Sequence, residues 1–98
     1  MTAPPADVTF DTVLAHSPEV MFQEVGGEAV LLDLASEQYF GLDPVGTRIW
    51  SLIDGDAPLG RIHAALCSEF DAEPGRIGDD LLALARALAE AGLVQARR

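Results

Sequence analysis

The first half of the chain alternates between apolar and polar residues in short runs, a pattern typical of β-strands. Val20–Val25 and residues 28–34 are two such runs, separated by Gly26 and Gly27. Glycine permits the positive φ that a two-residue hairpin turn requires, so these runs are predicted to form a β-hairpin. After a second turn comes a third strand-like run, Gln38–Leu42. The pattern therefore predicts an antiparallel meander of three strands.

The second half of the chain places apolar residues three or four positions apart, as in helices that pack on one face. Asp43 and Pro44 predict the start of the first helix. An Asp side chain can accept the free N–H groups there, and Pro at the first helical position loses no hydrogen bond because an N–H at that position has no partner within the helix. Asp56 is predicted to cap the second helix, and Gly92 to close the third in a left-handed conformation. The predicted helical segments are residues 44–55, 56–70 and 74–91.

This order of strands and helices predicts an α+β fold that is winged-helix-like. A chain of 98 residues with 49% apolar composition suffices for one domain. Residues 1–19 are expected to form a flexible N-terminal arm, with or without an edge strand, and residues 20–94 the folded domain. Leu93 and Val94 are expected to fold back onto the core, and residues 95–98 to form a frayed tail.

The charge of the chain restricts its partners. Sixteen acids against six bases give a net charge of −10. Nucleic acid and anionic membranes both require clustered positive charge, so neither is expected as a partner. No apolar run approaches the roughly 18 residues of a membrane span, and the N-terminus shows no signal-peptide pattern. A single Cys allows no internal disulfide, so a cytoplasmic location is expected.

The side chains that carry most enzyme chemistry are few and scattered. The two His and one Cys share no metal-ligand spacing, and no phosphate-binding glycine loop is present. Cys67 is interpreted as a small core residue, because it lies beside Glu69 and away from the helix start that would activate a thiol. His63 is interpreted as a boundary residue. The sequence therefore predicts no catalytic residue, no metal site and no cofactor.

Two features point to a binding function. The run Gln38–Leu42 contains neither a charge nor a Pro, the residues that usually block pairing at an exposed sheet edge. It is therefore either covered by the N-terminal arm or free to accept a peptide as an added strand. Asp80, near the start of the third helix, either complements the helix dipole or contacts a ligand that lies along the helix.

Several short motifs follow one another in a fixed order. They are Leu-Leu-Asp at residues 31–33, Tyr-Phe-Gly-Leu-Asp at 39–43, Val-Gly-Thr-x-Ile-Trp at 45–50 and Gly-Leu-Val at 92–94. Together they resemble the motifs of the PqqD family, and the resemblance extends over about residues 20–94. Proteins of this family are peptide chaperones of pyrroloquinoline-quinone (PQQ) biosynthesis and, more broadly, recognition elements for ribosomally synthesised and post-translationally modified peptides, including lasso peptides.

The resemblance implies a non-catalytic adaptor that uses no cofactor. It would bind the leader segment of a precursor peptide as an added strand, between the third strand and the third helix. It would then present the leader to a modifying enzyme, either a radical SAM enzyme or a leader peptidase and cyclase. The implied peptide-binding residues are Gln38, Tyr39, Phe40, Gly41 and Leu42 on the strand, and Ile77, Asp80, Leu81, Leu84, Ala87 and Leu88 on the helix.

Two other classes of protein were considered on the residues themselves. A winged-helix transcription regulator is the alternative, because the helical half has the required order of elements. The net charge of −10 disfavours it, and the third helix offers only Arg76 and Arg86 as cations. A small enzyme is disfavoured because no nucleophile is paired with a base.

Overall fold

The computed structural model describes residues 8–97, so residues 1–7 of the predicted arm and Arg98 of the predicted tail lie outside the described residues. The strands form two antiparallel sheets, one with the order β2-β3-β4 and one that pairs β1 with β5. The α+β fold and the three-stranded meander are confirmed. The elements are β1 (Val13–His16), β2 (Val20–Val25), β3 (Glu28–Asp33), β4 (Gln38–Leu42), α1 (Pro44–Leu52), α2 (Leu59–Glu69), α3 (Pro74–Glu90) and β5 (Val94–Arg97).

The two turns of the meander are formed by the residues that the sequence pattern singled out. Gly26 and Gly27 have φ of 62° and 86°, the pair of positive values that a tight hairpin of two residues needs. In the second turn the Asp33 carboxylate accepts hydrogen bonds from the Ala35 N–H at 3.1 Å and from the Ser36 hydroxyl at 2.8 Å. Local chemistry therefore fixes the register of all three strands.

The start of α1 is as predicted, whereas the start of α2 is not. The Asp43 carboxylate accepts the Gly46 N–H at 2.7 Å, which confirms Asp43 as the N-cap of α1. The prediction that Asp56 caps α2 is wrong, because α2 begins at Leu59 and has no side-chain cap. Asp54 instead accepts the N–H groups of Asp56 and Ala57, each at 2.9 Å, and these bonds lower the pKa of the Asp54 carboxyl. Asp56 is thus held in the turn that precedes the helix.

The core lies between the three helices and one side of the β2-β3-β4 sheet. Ala29, Leu31 and Leu42 point from the sheet into this core, where α1 contacts both β3 and β4. Each helix contributes one face, whose buried residues recur about once per turn. The largest fully buried side chains are Leu14, Leu31, Ile49, Leu59, Leu66, Leu81 and Leu88.

The N-terminal arm packs against the helices rather than along the meander. Val8 is buried, and Arg86 of α3 donates a hydrogen bond to its carbonyl at 3.3 Å. The Gly60 N–H of α2 donates to the Phe10 carbonyl at 2.8 Å. The arm then continues into β1, so it does contain a strand.

The C-terminal segment differs from the frayed tail that was predicted for residues 95–98. Val94–Arg97 forms β5 and pairs with β1 in antiparallel register, with Leu14 opposite Ala96. The partner strand lies about 80 residues earlier in the sequence, so the local pattern of the tail gives no sign of it. Leu93 and Val94 are buried, as predicted.

An ion pair between α1 and α2 gives the fold a small acid sensitivity. Arg48 donates two hydrogen bonds of 2.8 Å to the Glu69 carboxylate, and these lower the pKa of Glu69 from its usual 4.5. Because the folded pKa is depressed, this contribution is present above pH 4.5 and is lost as the pH falls through the folded value. We expect urea unfolding to show a shallower loss of stability below pH 4.5 for Glu69→Gln than for the wild type.

Glu90→Gln, at an exposed residue at the end of α3, is the matched control and should keep the acid dependence of the wild type. The effect is small because the pair is solvent-exposed. Equal acid dependence of Glu69→Gln and the wild type would contradict the assignment.

Candidate functional site

Strand β4 lies at an edge of the sheet. The strand order β2-β3-β4 leaves the side of β4 that faces away from β3 without a partner strand among residues 8–97. The described part of the N-terminal arm pairs with β5 instead. Of the two alternatives that the sequence left open for this strand, the structure therefore favours the free edge.

The register identifies which backbone groups of β4 face this edge. In an antiparallel ladder, the N–H and C=O of successive residues point alternately to the two sides of the strand. The Leu34 N–H donates to the Glu19 carbonyl, in line with the β2-β3 register, so even-numbered residues of β3 face β2. Odd-numbered residues of β3 consequently face β4, and Leu31 is opposite Phe40. Phe40 therefore bonds inward, whereas Tyr39 and Gly41 direct their N–H and C=O groups outward.

A cavity of about 520 Å³ adjoins the free edge at the end of β4. It lies between the last residues of β4, the first two turns of α1 and one face of α3. Its wall is partly apolar and partly polar, and it includes two carboxylates. The lining residues are Gly41, Leu42, Asp43, Val45, Gly46, Ile49, Asp80 and Leu84.

Gly46 allows α1 to approach α3 closely at the base of this cavity. A Cβ atom at Gly46 would lie 3.1 Å from Asp43 Oδ1, 3.3 Å from Leu42 Cδ2 and 3.4 Å from Leu84 Cδ2. These distances are at or below ordinary van der Waals contact, so a larger residue would displace Leu84 or loosen the cap of α1. The sequence pattern did not place α1 in the site. A glycine inside an apolar helical pattern was the available signal.

The structure brings together part of the residue set that the resemblance implied. Gly41, Leu42, Asp80 and Leu84 line the same cavity. On β4, Tyr39 is 75% exposed, Gln38 is exposed and Phe40 is half-buried against the core. Ala87 is half-buried one turn beyond Leu84 and does not line the cavity.

The remaining residues implied on α3 belong to the core. Leu81 and Leu88 have no exposed surface, and Ile77 is 8% exposed. Their spacing of four and seven residues places them on the face of α3 that packs inward. A ligand on the surface can therefore meet Asp80 and Leu84, whereas Leu81 and Leu88 hold the helix in place from behind.

The rim of the cavity is acidic. Asp43 is tied to the first turn of α1 by its capping bond, and its side chain still lines the cavity. Asp80 is 65% exposed, and its carboxylate lies 3.9 Å from the Arg76 guanidinium one turn earlier. An exposed pair at this distance interacts weakly, so Asp80 is available to a ligand.

The other side chains that could take part in chemistry or bind a metal contact other parts of the fold. His63 Nε2 lies 2.8 Å from the Pro74 carbonyl and 3.5 Å from Cys67 Sγ, which places both side chains between α2 and α3. Trp50 is buried, and the His16 ring stacks on it at 3.8 Å. Within the described part of the chain, no three His, Cys, Asp or Glu side chains are grouped so that they could hold a metal ion.

None of the helices described between residues 8 and 97 is long and apolar enough to cross a membrane.

Comparisons with known proteins agree with this architecture. The family model for "Coenzyme PQQ synthesis protein D (PqqD)" matches residues 28–94. A solved structure of TbiB1 in complex with the TbiA(beta) leader peptide is 36% identical, with a TM-score of 0.76, over 85% of this chain and 96% of that one. The chain therefore belongs to the PqqD family, which confirms the resemblance found in the sequence.

A second solved structure, a lasso peptide synthetase B1 complexed with the leader peptide, shares the fold. It is 24% identical, with a TM-score of 0.74, over 84% of this chain and 96% of that one. No curated protein sequence matches significantly. The 36% identical TbiB1 structure is a leader-peptide complex and does not favour a transcription regulator.

Proposed function

We propose that this chain is a recognition element that binds the leader segment of a ribosomally made precursor peptide and presents it to a modifying enzyme. The observation that carries the proposal is the free edge of β4, where Tyr39 and Gly41 direct their backbone groups outward beside a cavity with apolar and acidic lining residues. The PqqD family match and the leader peptide bound to the 36% identical TbiB1 support it. The chain itself would carry out no chemical step.

The leader would bind as a strand added to β4. Its backbone would pair with the outward N–H and C=O groups of Tyr39 and Gly41, an interaction that tolerates many sequences. Alternate leader side chains would point towards the cavity, and one apolar side chain could fill the space beside Leu42, Ile49 and Leu84. Selectivity would come from this anchor.

The acidic rim sets a second requirement on the leader. Asp43 and Asp80 both line the cavity, so an acidic residue next to the anchor would be repelled. A Lys or Arg at that position would be favoured. The delivered leader would then be acted on by a radical SAM enzyme in a PQQ-type pathway, or by a leader peptidase and cyclase in a lasso-peptide pathway.

Calorimetric titration of the full chain with the leader segment of its cognate precursor peptide tests the proposal. We expect micromolar affinity or tighter, at about −8 kcal/mol, with a modest dependence on salt because the contact is mainly backbone and apolar. Mass spectrometry should show the peptide unchanged after incubation. Absence of both heat and NMR shifts on addition of the leader would refute the proposal.

Asp80→Ala separates the two roles that the sequence left open for this residue. If Asp80 contacts the leader, the variant should bind it about five- to tenfold more weakly, as expected for the loss of one hydrogen bond at an exposed site, and thermal unfolding should be nearly unchanged. Asp79→Ala, at the adjacent exposed position, is the matched control and should bind normally. Equal affinity of Asp80→Ala and the wild type would leave Asp80 only its interaction with the helix dipole.

A further inference from the structure

The side of the β2-β3-β4 sheet that faces away from the helices exposes apolar side chains. Because side chains alternate along a strand, the inward positions of Ala29 and Leu31 put Val30 and Leu32 on the opposite side. The register places Met21 and Tyr39 beside Leu32, on either neighbouring strand. We call these four residues, Met21, Val30, Leu32 and Tyr39, the outer face.

The outer face is more exposed than an ordinary apolar cluster. Met21 is 56%, Val30 is 44% and Tyr39 is 75% exposed. The described arm packs against α2 and α3, and β1 and β5 form the other sheet, so no described element covers it. Soluble monomers seldom expose contiguous apolar surface of this kind without a partner for it.

The charge of the segment that carries the outer face indicates the chemistry of that partner. Residues 19–43, which include all three strands, contain six acids and neither Lys, Arg nor His. Glu28 lies on the same side of β3 as Val30 and Leu32, whereas Glu24 and Asp33 lie on the side of Ala29 and Leu31. A second copy of the chain, or an anionic membrane, would therefore bring negative charge against negative charge. A protein surface with an apolar centre and surrounding Lys and Arg is complementary.

We propose that the outer face docks the enzyme that receives the leader, through an apolar patch bordered by basic residues. This docking proposal rests on the proposed function, because it takes the docked protein to be the leader-processing enzyme. A leader strand added to β4 would extend the sheet. Every second leader side chain would then lie on the same side of the sheet as Tyr39 and the rest of the outer face. The enzyme would then contact this chain and its bound leader on one continuous surface.

The test uses the purified modifying enzyme encoded beside this chain, together with the fluorescently labelled leader. The variant Met21→Gln with Val30→Thr keeps side-chain shape and makes the outer face polar, without a change in β4. We expect its affinity for the enzyme to fall at least about tenfold, and its affinity for the leader to stay within about twofold of the wild type. Val13→Thr on β1, in the other sheet, is the matched control and should bind both normally.

Salt and self-association measurements complete the test. Enzyme binding by the wild type should weaken when NaCl is raised from about 50 to about 500 mM, because the acids would be screened. Unchanged enzyme affinity of the Met21→Gln, Val30→Thr variant would refute the proposal. So would sedimentation of the wild type as a dimer that this variant loses, since the face would then serve a second copy.

The two proposals fail separately. Enzyme binding through the outer face by a wild-type chain that binds no leader would overturn the proposed function and leave the docking surface in place. If the chain binds the leader but its affinity for the enzyme does not depend on the outer face, the docking surface is refuted and the proposed function stands.

Discussion

Replacement of Leu84 by Glu should abolish leader binding, with a loss in affinity of at least about 100-fold, or about 2.7 kcal/mol. Leu84 is half-buried and lines the cavity beside β4. A carboxylate there would be partly desolvated when the leader binds, and it would add to the negative charge of Asp43 and Asp80. Calorimetry with the leader peptide measures the change directly.

Ala83→Glu provides the matched control for this charge. Ala83 precedes Leu84 on the same helix, is exposed and does not line the cavity. We expect near-normal leader affinity for this control, and thermal unfolding of each variant shows whether α3 remains folded. If Leu84→Glu unfolds the domain, Leu84→Asn removes the apolar contact without a charge. Normal leader binding by a folded Leu84 variant would move the site away from this cavity.

Methylation of the Tyr39 amide nitrogen in a semisynthetic chain should weaken leader binding by about 1–2 kcal/mol, or about five- to thirtyfold. The register directs this N–H outward, where it would donate to the leader. Methylation at Phe40 should instead lower the melting temperature, because that N–H faces β3. The two modified chains differ by one position and carry the same added group, so each is the control for the other.

Amide hydrogen exchange tests the same assignment without a modified backbone. On addition of the leader we expect slower exchange at Tyr39 and Gly41, and little change at Phe40, which is already bonded within the sheet. Protection confined to α2, with none on β4 or α3, would contradict strand addition at this edge. Equal effects of methylation at Tyr39 and Phe40 would contradict the register.

The elements that the sequence predicted well are those with local signals. The glycine pair fixes the first hairpin, and Asp43 with Pro44 fixes the start of α1, because each acts within a few residues of itself. The local signal at Asp56 was misleading. A cap at Asp56 would accept the N–H groups two and three residues on, but Pro58 has none and the Leu59 N–H donates to the Thr12 carbonyl.

The site needed information that a single strand or helix does not contain. Which of Tyr39 and Phe40 bonds outward depends on the register of two ladders together. The apolar stripe of α3 is visible in the sequence, yet only contacts with the rest of the fold separate Leu84 at the cavity from Leu81 in the core. The role of Gly46 depends on three side chains, which are Leu42 of β4, Leu84 of α3 and the capping residue Asp43.

The pairing of β1 with β5 has a consequence for the order in which the molecule assembles. Val13 is opposite Arg97, so this ladder closes a loop of about 84 residues, whereas each hairpin of the meander closes within a few. Contacts between residues so far apart form late, because the chain loses the entropy of closing the loop before other interactions compensate for that loss. During synthesis β1 therefore stays unpaired until a strand about 80 residues later has been made, and the free edge of β4 can form before this ladder closes.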